Sequence, residues 1–268
     1  MKILIPTDFS KNAFNAARFG ANLAVHVGGE VTLLNAYQLK YTNASLFVDF
    51  DDSAKAYSLE ELEEDKEKLQ NEFPHLSISS KLDLGSLDNV IESIKDDYDL
   101  VVMGTKGRSG IEAVLIGSET AKVIGNTSIP VLAIPSESEF KVMDKLFFAL
   151  DLTGTLRREE VAVIEKLSND NIDVHLFHNY HDALEISVQE EKELVTKFQD
   201  YFPGQVIALD MKFNTDSLEA IEESIDNFKP DLVVAKAKHR NFLQALFHRS
   251  ITERLSYHTK QPLLVLKG

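Results

Sequence analysis

The sequence predicts an α/β protein built as two tandem domains, residues 1–138 and 139–268, each an open parallel five-stranded sheet with helices on both faces. Two observations carry this. Five short apolar runs in each half are separated by amphipathic stretches, which is the signature of repeated βα units. The halves also echo each other: Asp99-Leu100-Val101-Val102 matches Asp231-Leu232-Val233-Val234, and Ile129-Pro130-Val131-Leu132 matches Gln261-Pro262-Leu263-Leu264 at the same spacing. Their beginnings agree as well, Lys2-Ile3-Leu4-Ile5 leading to Asp8 and Lys145-Leu146-Phe147-Phe148 leading to Asp151.

In the first copy, Ile3 to Pro6 is an apolar run that reads as a strand. Ser10 then caps a helix reaching about Val25, with Phe14, Ala17, Ala21 and Leu23 as its apolar face. Val31 to Ala36 is the second strand. Tyr37 to Ala56 is polar and irregular, and an acidic helix follows from Ser58 to about Phe73. Leu76 to Leu82, Leu100 to Met103 and Val131 to Ile134 are the remaining strands, with helices at Ser86 to Ile94 and Ser118 to Ile124 between them. The acid-rich stretch Glu60 to Glu67, with Leu62 inside it, reads as a solvated helix face.

The second copy repeats the order. Its strands fall near Leu146–Leu150, Val174–Phe177, Val206–Leu209, Leu232–Ala235 and Leu263–Leu266, and its helices near Arg157–Leu167, Asp182–Tyr201, Ser217–Phe228 and Ser250–Tyr257. The polar linker Ser136 to Phe140 is short.

The chain has 268 residues and no cysteine, which excludes disulfides, thiolate metal sites and thiol catalysis. Its net charge of -15 argues against nucleic-acid binding, because phosphate backbones are held by Lys and Arg. The apolar run at the N-terminus is too short for a signal segment and no stretch reads as a membrane span, so a soluble cytoplasmic protein is expected. His175, His178 and His181 do not converge as metal ligands, since a strand sends the first two to opposite faces.

The chemistry concentrates after the fourth strand. Met103-Gly104-Thr105-Lys106-Gly107-Arg108 leads through Ile116 to Gly117-Ser118, where a new helix opens. Glycines lack Cβ atoms and let main-chain N–H groups approach an anion, while the helix start adds partial positive charge. Ligands of such sheets lie beyond the carboxyl ends of the strands. The loop after strand one, Pro6-Thr7-Asp8-Phe9-Ser10, therefore faces the glycines if strands one and four are neighbours. Asp8 either caps the helix ahead of Ser10 or accepts ribose hydroxyls, and the two roles are compatible. Lys106 and Arg108 either touch phosphate or point to water.

Gly104-x2-Gly107-x9-Gly117-Ser118, Asp8 at the end of strand one and the Ile129-Pro130 step together resemble universal stress proteins of the tandem-domain type. That resemblance implies a Rossmann-like sheet order of 3-2-1-4-5 and ATP as ligand. It places adenine near Ala36, the ribose at Asp8, and the phosphates against Gly107, Arg108, Gly117, Ser118 and Glu119. Pro6, Thr7, Met103, Gly104 and Lys106 complete the expected site. Glu119 is discordant, because a carboxylate there repels a triphosphate unless it turns away or shares a divalent ion such as Mg2+. The resemblance further implies that the last strands of the two domains meet edge to edge, making the chain its own dimer, and leaves pairing of whole chains open. Its expected role is stress signalling by nucleotide occupancy, without membrane or nucleic-acid partners.

The second copy departs from the pattern. Lys236, His239 and Arg249 stand where the first has Gly104, Gly107 and Gly117, and Ser250 with Glu253 spells a self-capping helix start. A basic zone from Lys236 to Lys260 reads as a relic, an anion site of another shape or a docking patch. No Walker-type Gly-Lys-Ser/Thr, Gly-x-Ser-x-Gly elbow or His-Glu-x-x-His is present, so catalysis is not expected; a slow ATPase or other nucleotide-acting enzyme, or a ligand-free interaction module, is the alternative.

Overall fold

In the computed structural model the described residues are 1–38, 47–105, 117–149, 155–180, 188–213, 217–236 and 261–267. Those up to Phe140 form one compact unit and those from Lys141 onward a second.

The first unit is a parallel sheet of β1 (Lys2–Pro6), β2 (Glu30–Tyr37), β3 (Ser77–Leu84), β4 (Leu100–Gly104) and β5 (Val131–Ile134), in the order β3-β2-β1-β4-β5. This is the expected 3-2-1-4-5. Consecutive strand residues point to opposite faces, yet Ile3, Leu4 and Ile5 are all 0% exposed, so both faces of β1 are covered. The cover comes from α1 (Lys11–Val27) beside α2 (Phe47–Glu72), and from α3 (Leu87–Ile94) beside α4 (Ser118–Asn126).

Helix α1 begins as its sequence dictates, with the Ser10 hydroxyl accepting the Ala13 N–H at 3.2 Å. It ends on Gly28 in the left-handed region, φ 63°, where a side chain is disfavoured. Its buried aromatic is Phe19 rather than Phe14. Helix α2 is longer than predicted, starting at Phe47 and not near Ser58. No Gly or Pro interrupts 47–72, and Ala54, Lys55 and Ala56 favour a helix, but the weak apolar periodicity of its first turns hid it.

The second unit repeats the plan with β6 (Met143–Ala149), β7 (Ser168–Tyr180), β8 (Val206–Phe213), β9 (Leu232–Lys236) and β10 (Leu263–Leu266), in the order β10-β9-β6-β7-β8. Counted from its own first strand this is again 3-2-1-4-5. Helices α5 (Arg158–Leu167), α6 (Val188–Tyr201) and α7 (Ser217–Phe228) accompany it. Strand β7 is longer than the predicted Val174–Phe177: Ser168 and Asp173 join β6 across a register shift between Met143 and Lys145, and 178–180 pair with β8. Phe148 packs edge-on against Phe198 of α6, and the half-buried His175 sets its ring against those of Phe147 and Phe228.

The duplication extends to hydrogen bonds. The Asp99 carboxylate accepts the Lys2 N–H at 2.7 Å, and Asp231 accepts that of Lys145 at 3.0 Å. Val101 donates to Pro130 O at 2.9 Å, and Val233 to Pro262 O at 3.0 Å. The predicted helix at Ser250–Tyr257 and the basic zone beyond Lys236 lie outside the described residues.

Candidate functional site in the first unit

Because β1 and β4 are neighbours, their following loops converge at the carboxyl edge of the sheet. Between them lies a cavity of about 350 Å3, lined by Pro6, Thr7, Asp8, Ala36, Met103, Gly104, Gly117, Ser118 and Glu119. These are nine of the predicted site residues. Lys106, Gly107 and Arg108 lie outside the described residues. The volume falls within the range of small-molecule sites, about 300–1,000 Å3.

One wall of the cavity is the start of α4. Gly117 is its N-cap and offers no side-chain cap, so the first-turn N–H groups are not taken by a capping side chain. The Gly117 N–H is held by Thr105 O at 2.6 Å, and its carbonyl accepts the Ala121 N–H at 3.0 Å. Glu119 is drawn along the helix by Lys122, whose Nζ lies 2.6 Å from its carboxylate, and this pairing raises the lysine's affinity for its proton. The discordant carboxylate thus has a partner on its own helix.

The opposite wall is the turn after β1. Its backbone is fixed by Thr7 N–H donating to Leu34 O at 2.8 Å and by the Asn35 amide donating to Thr7 O at 2.8 Å. Ser10 is the helix cap, while Asp8 Oδ1 accepts the Ser10 N–H at 3.1 Å and its side chain borders the cavity. Capping and lining are therefore shared between neighbouring residues.

Four lining residues escaped sequence reasoning: Ala13, Asn35, Leu87 and Thr120. Thr120 is buried and its hydroxyl donates to Gly104 O at 2.9 Å, tying α4 to the end of β4. Its place in the first turn of a helix after the glycines was the available signal. Another residue behind the site was misread. Asp65, in the acidic stretch expected to be solvated, is buried beside Thr7, and burial pushes its carboxyl up despite the neighbouring Lys68.

The corresponding edge of the second unit is built differently. Lys236 ends β9 as Gly104 ends β4, and its ammonium meets Glu160 at 2.8 Å and the Thr155 carbonyl. Glu160 also accepts the Arg157 N–H and guanidinium at 2.7 and 3.0 Å. The residues aligned with Gly107 and Gly117 lie outside the described residues.

Residues 1–135 match the sequence model of the Universal stress protein family. A universal stress protein of Methanocaldococcus jannaschii is 32% identical over 142 residues, covering 50% of this chain and 81% of its own. A second from the same organism is 27% identical over 151 residues, covering 50% of this chain and 93% of its own. The fold of the whole chain is similar to that of a universal stress protein from Archaeoglobus fulgidus, with a TM-score of 0.66 at 16% identity over 99% of this chain and 96% of the other. A putative universal stress protein from Pseudomonas aeruginosa gives a TM-score of 0.57 at 15% identity, covering 99% and 92%. With its β1 turn and α4 start facing each other across one cavity, the chain belongs to the universal stress protein family.

Proposed function

We propose that the first unit binds an adenine nucleotide, with ATP as the principal candidate, and that the protein signals by occupancy rather than turnover. The observation that carries this is the pairing, across one cavity, of an acceptor wall and a donor wall: Asp8 on the β1 turn and the uncapped start of α4. A nucleoside phosphate has the matching polarity. Its ribose hydroxyls donate to a carboxylate, and its phosphates accept main-chain N–H groups at the positive end of a helix dipole. Pro6, Ala36 and Met103 supply apolar surface for the base.

Non-catalytic binding is supported by what lines the cavity. Among the described residues that line it none is His, Lys or Cys, and Asp8 and Glu119 supply carboxylates. Main-chain cradling binds ground state and transition state about equally and so gives little rate enhancement. Where Mg2+ accompanies the nucleotide, Glu119 would have to leave Lys122 to share it.

Native mass spectrometry of the purified protein, with ATP turnover measured with and without Mg2+, tests this reading. One adenine nucleotide per chain with turnover at background is expected. Rapid Mg2+-dependent hydrolysis would support a nucleotide-acting enzyme instead, and absence of any adenine ligand after ATP addition would refute the reading.

A further inference from the structure

Among the described side chains of α2 most acids face outward, but Asp65 lies between Leu62 and Leu69 on the inward face and is only 8% exposed. A carboxylate buried in an apolar row is costly unless donors hold it. Its donors are Lys68 Nζ at 3.5 Å and the Thr7 hydroxyl at 3.4 Å. Thr7 immediately precedes Asp8. A threonine hydroxyl carries one hydrogen, and with that hydrogen directed at Asp65 its lone pairs are free to accept the Phe9 N–H, 3.0 Å away. Phe9 has φ 65°, a conformation that residues bearing a side chain rarely adopt, and its ring meets Tyr57 of α2 edge-on at 6.5 Å. The turn thus has two anchors. Strand β2 fixes its main chain through Leu34 and Asn35, and α2 fixes the Thr7 side chain and the strained residue that follows. Strained turns persist only where their surroundings over-determine them.

We infer that Asp65 is a positioning residue of the cavity: through the Thr7 hydroxyl it holds the turn that presents Asp8, and so couples helix α2 to the affinity for a ligand with vicinal hydroxyls. The inference rests on the proposed reading of Asp8 as the acceptor of ribose hydroxyls. Without Asp65 the turn relaxes around Phe9 and the Asp8 carboxylate leaves its place, while the α4 wall is untouched. The loss falls on the ribose and not on the phosphates.

Dissociation constants of ATP and 2′,3′-dideoxy-ATP, measured by titration calorimetry for the intact chain, Asp65→Ala and Asp65→Asn, test this. The wild type is expected to prefer ATP by at least about tenfold, the worth of a hydrogen bond to a charged group. Asp65→Ala should bring the two nucleotides within about threefold of each other, and Asp65→Asn, whose amide oxygen still accepts the Thr7 hydrogen, should restore the preference. An Asp65→Ala protein that keeps the wild-type ratio, even with both affinities lowered, overturns the inference. If that variant does not fold, Thr7→Val removes the same hydrogen and is judged by the same ratio. A wild type that binds ATP without preference removes the ribose role of Asp8 and the inference with it. A wild type that binds neither nucleotide overturns the proposed function itself.

Discussion

Lys236 Nζ lies 2.8 Å from Glu160 Oε2 at the strand edge where the first unit has Gly104, and the two side chains are 10% and 1% exposed. A buried ion pair is weak evidence of net stabilisation, but removing one partner strands the other in a low dielectric. Lys236→Met should lower unfolding stability by about 2 to 3 kcal/mol, less than a fully orphaned charge because Arg157 remains on Glu160. The urea midpoint measures this, and an unchanged midpoint would show the pair to be idle.

Thr120 ties the first turn of α4 to β4 through Gly104 O. Thr120→Val keeps the shape and removes the donor, leaving a carbonyl short of its partner. A loss of about 1 to 2 kcal/mol is expected in thermal unfolding, with a severalfold weaker ATP affinity as α4 loosens. A variant as stable as wild type would show that the bond contributes nothing.

Asp231 predicts an acid-dependent difference. Burial opposes its ionisation, but Lys141 and the N–H groups of Asp144 and Lys145 outweigh burial and hold its carboxyl below the usual aspartate range. A depressed folded pKa contributes stability above the unfolded value, and that contribution is lost as pH falls through the folded value. The stability gap between wild type and Asp231→Asn should therefore be full at neutral pH and shrink below about pH 4. Urea unfolding at several pH values measures it; a gap that widens in acid would contradict the assignment.

Gly28 closes α1 at φ 63° with open space where a Cβ would stand. Gly28→Ala meets no clash, so its cost is conformational, about 1 kcal/mol in unfolding free energy. A neutral substitution would mean that the cap relaxes.

The fold was legible because the signals repeat: two copies of each strand and loop reduce the topology to one unit, and the parallel order follows from the βα alternation. The start of α2 was not, since residues 47–56 lack an apolar stripe. Within the site, Asp8, Gly117 and Ser118 announce themselves by residue type and position. Thr120 and Asn35 do not, because their roles depend on which carbonyl a single donor reaches in the folded chain. Asp65 was hidden by its acidic neighbours, and only packing separates the inward acid from the solvated ones. Lys236 was recognisable as a replaced glycine, but its partner Glu160 sits 76 residues earlier.

Titration of the intact chain with ATP, in parallel with Gly117→Arg, tests the central claim most directly. The account predicts one ATP per chain for the wild type and no binding once an arginine occupies the start of α4. Two ATP per chain, no heat at all, or an unimpaired Gly117→Arg would contradict it.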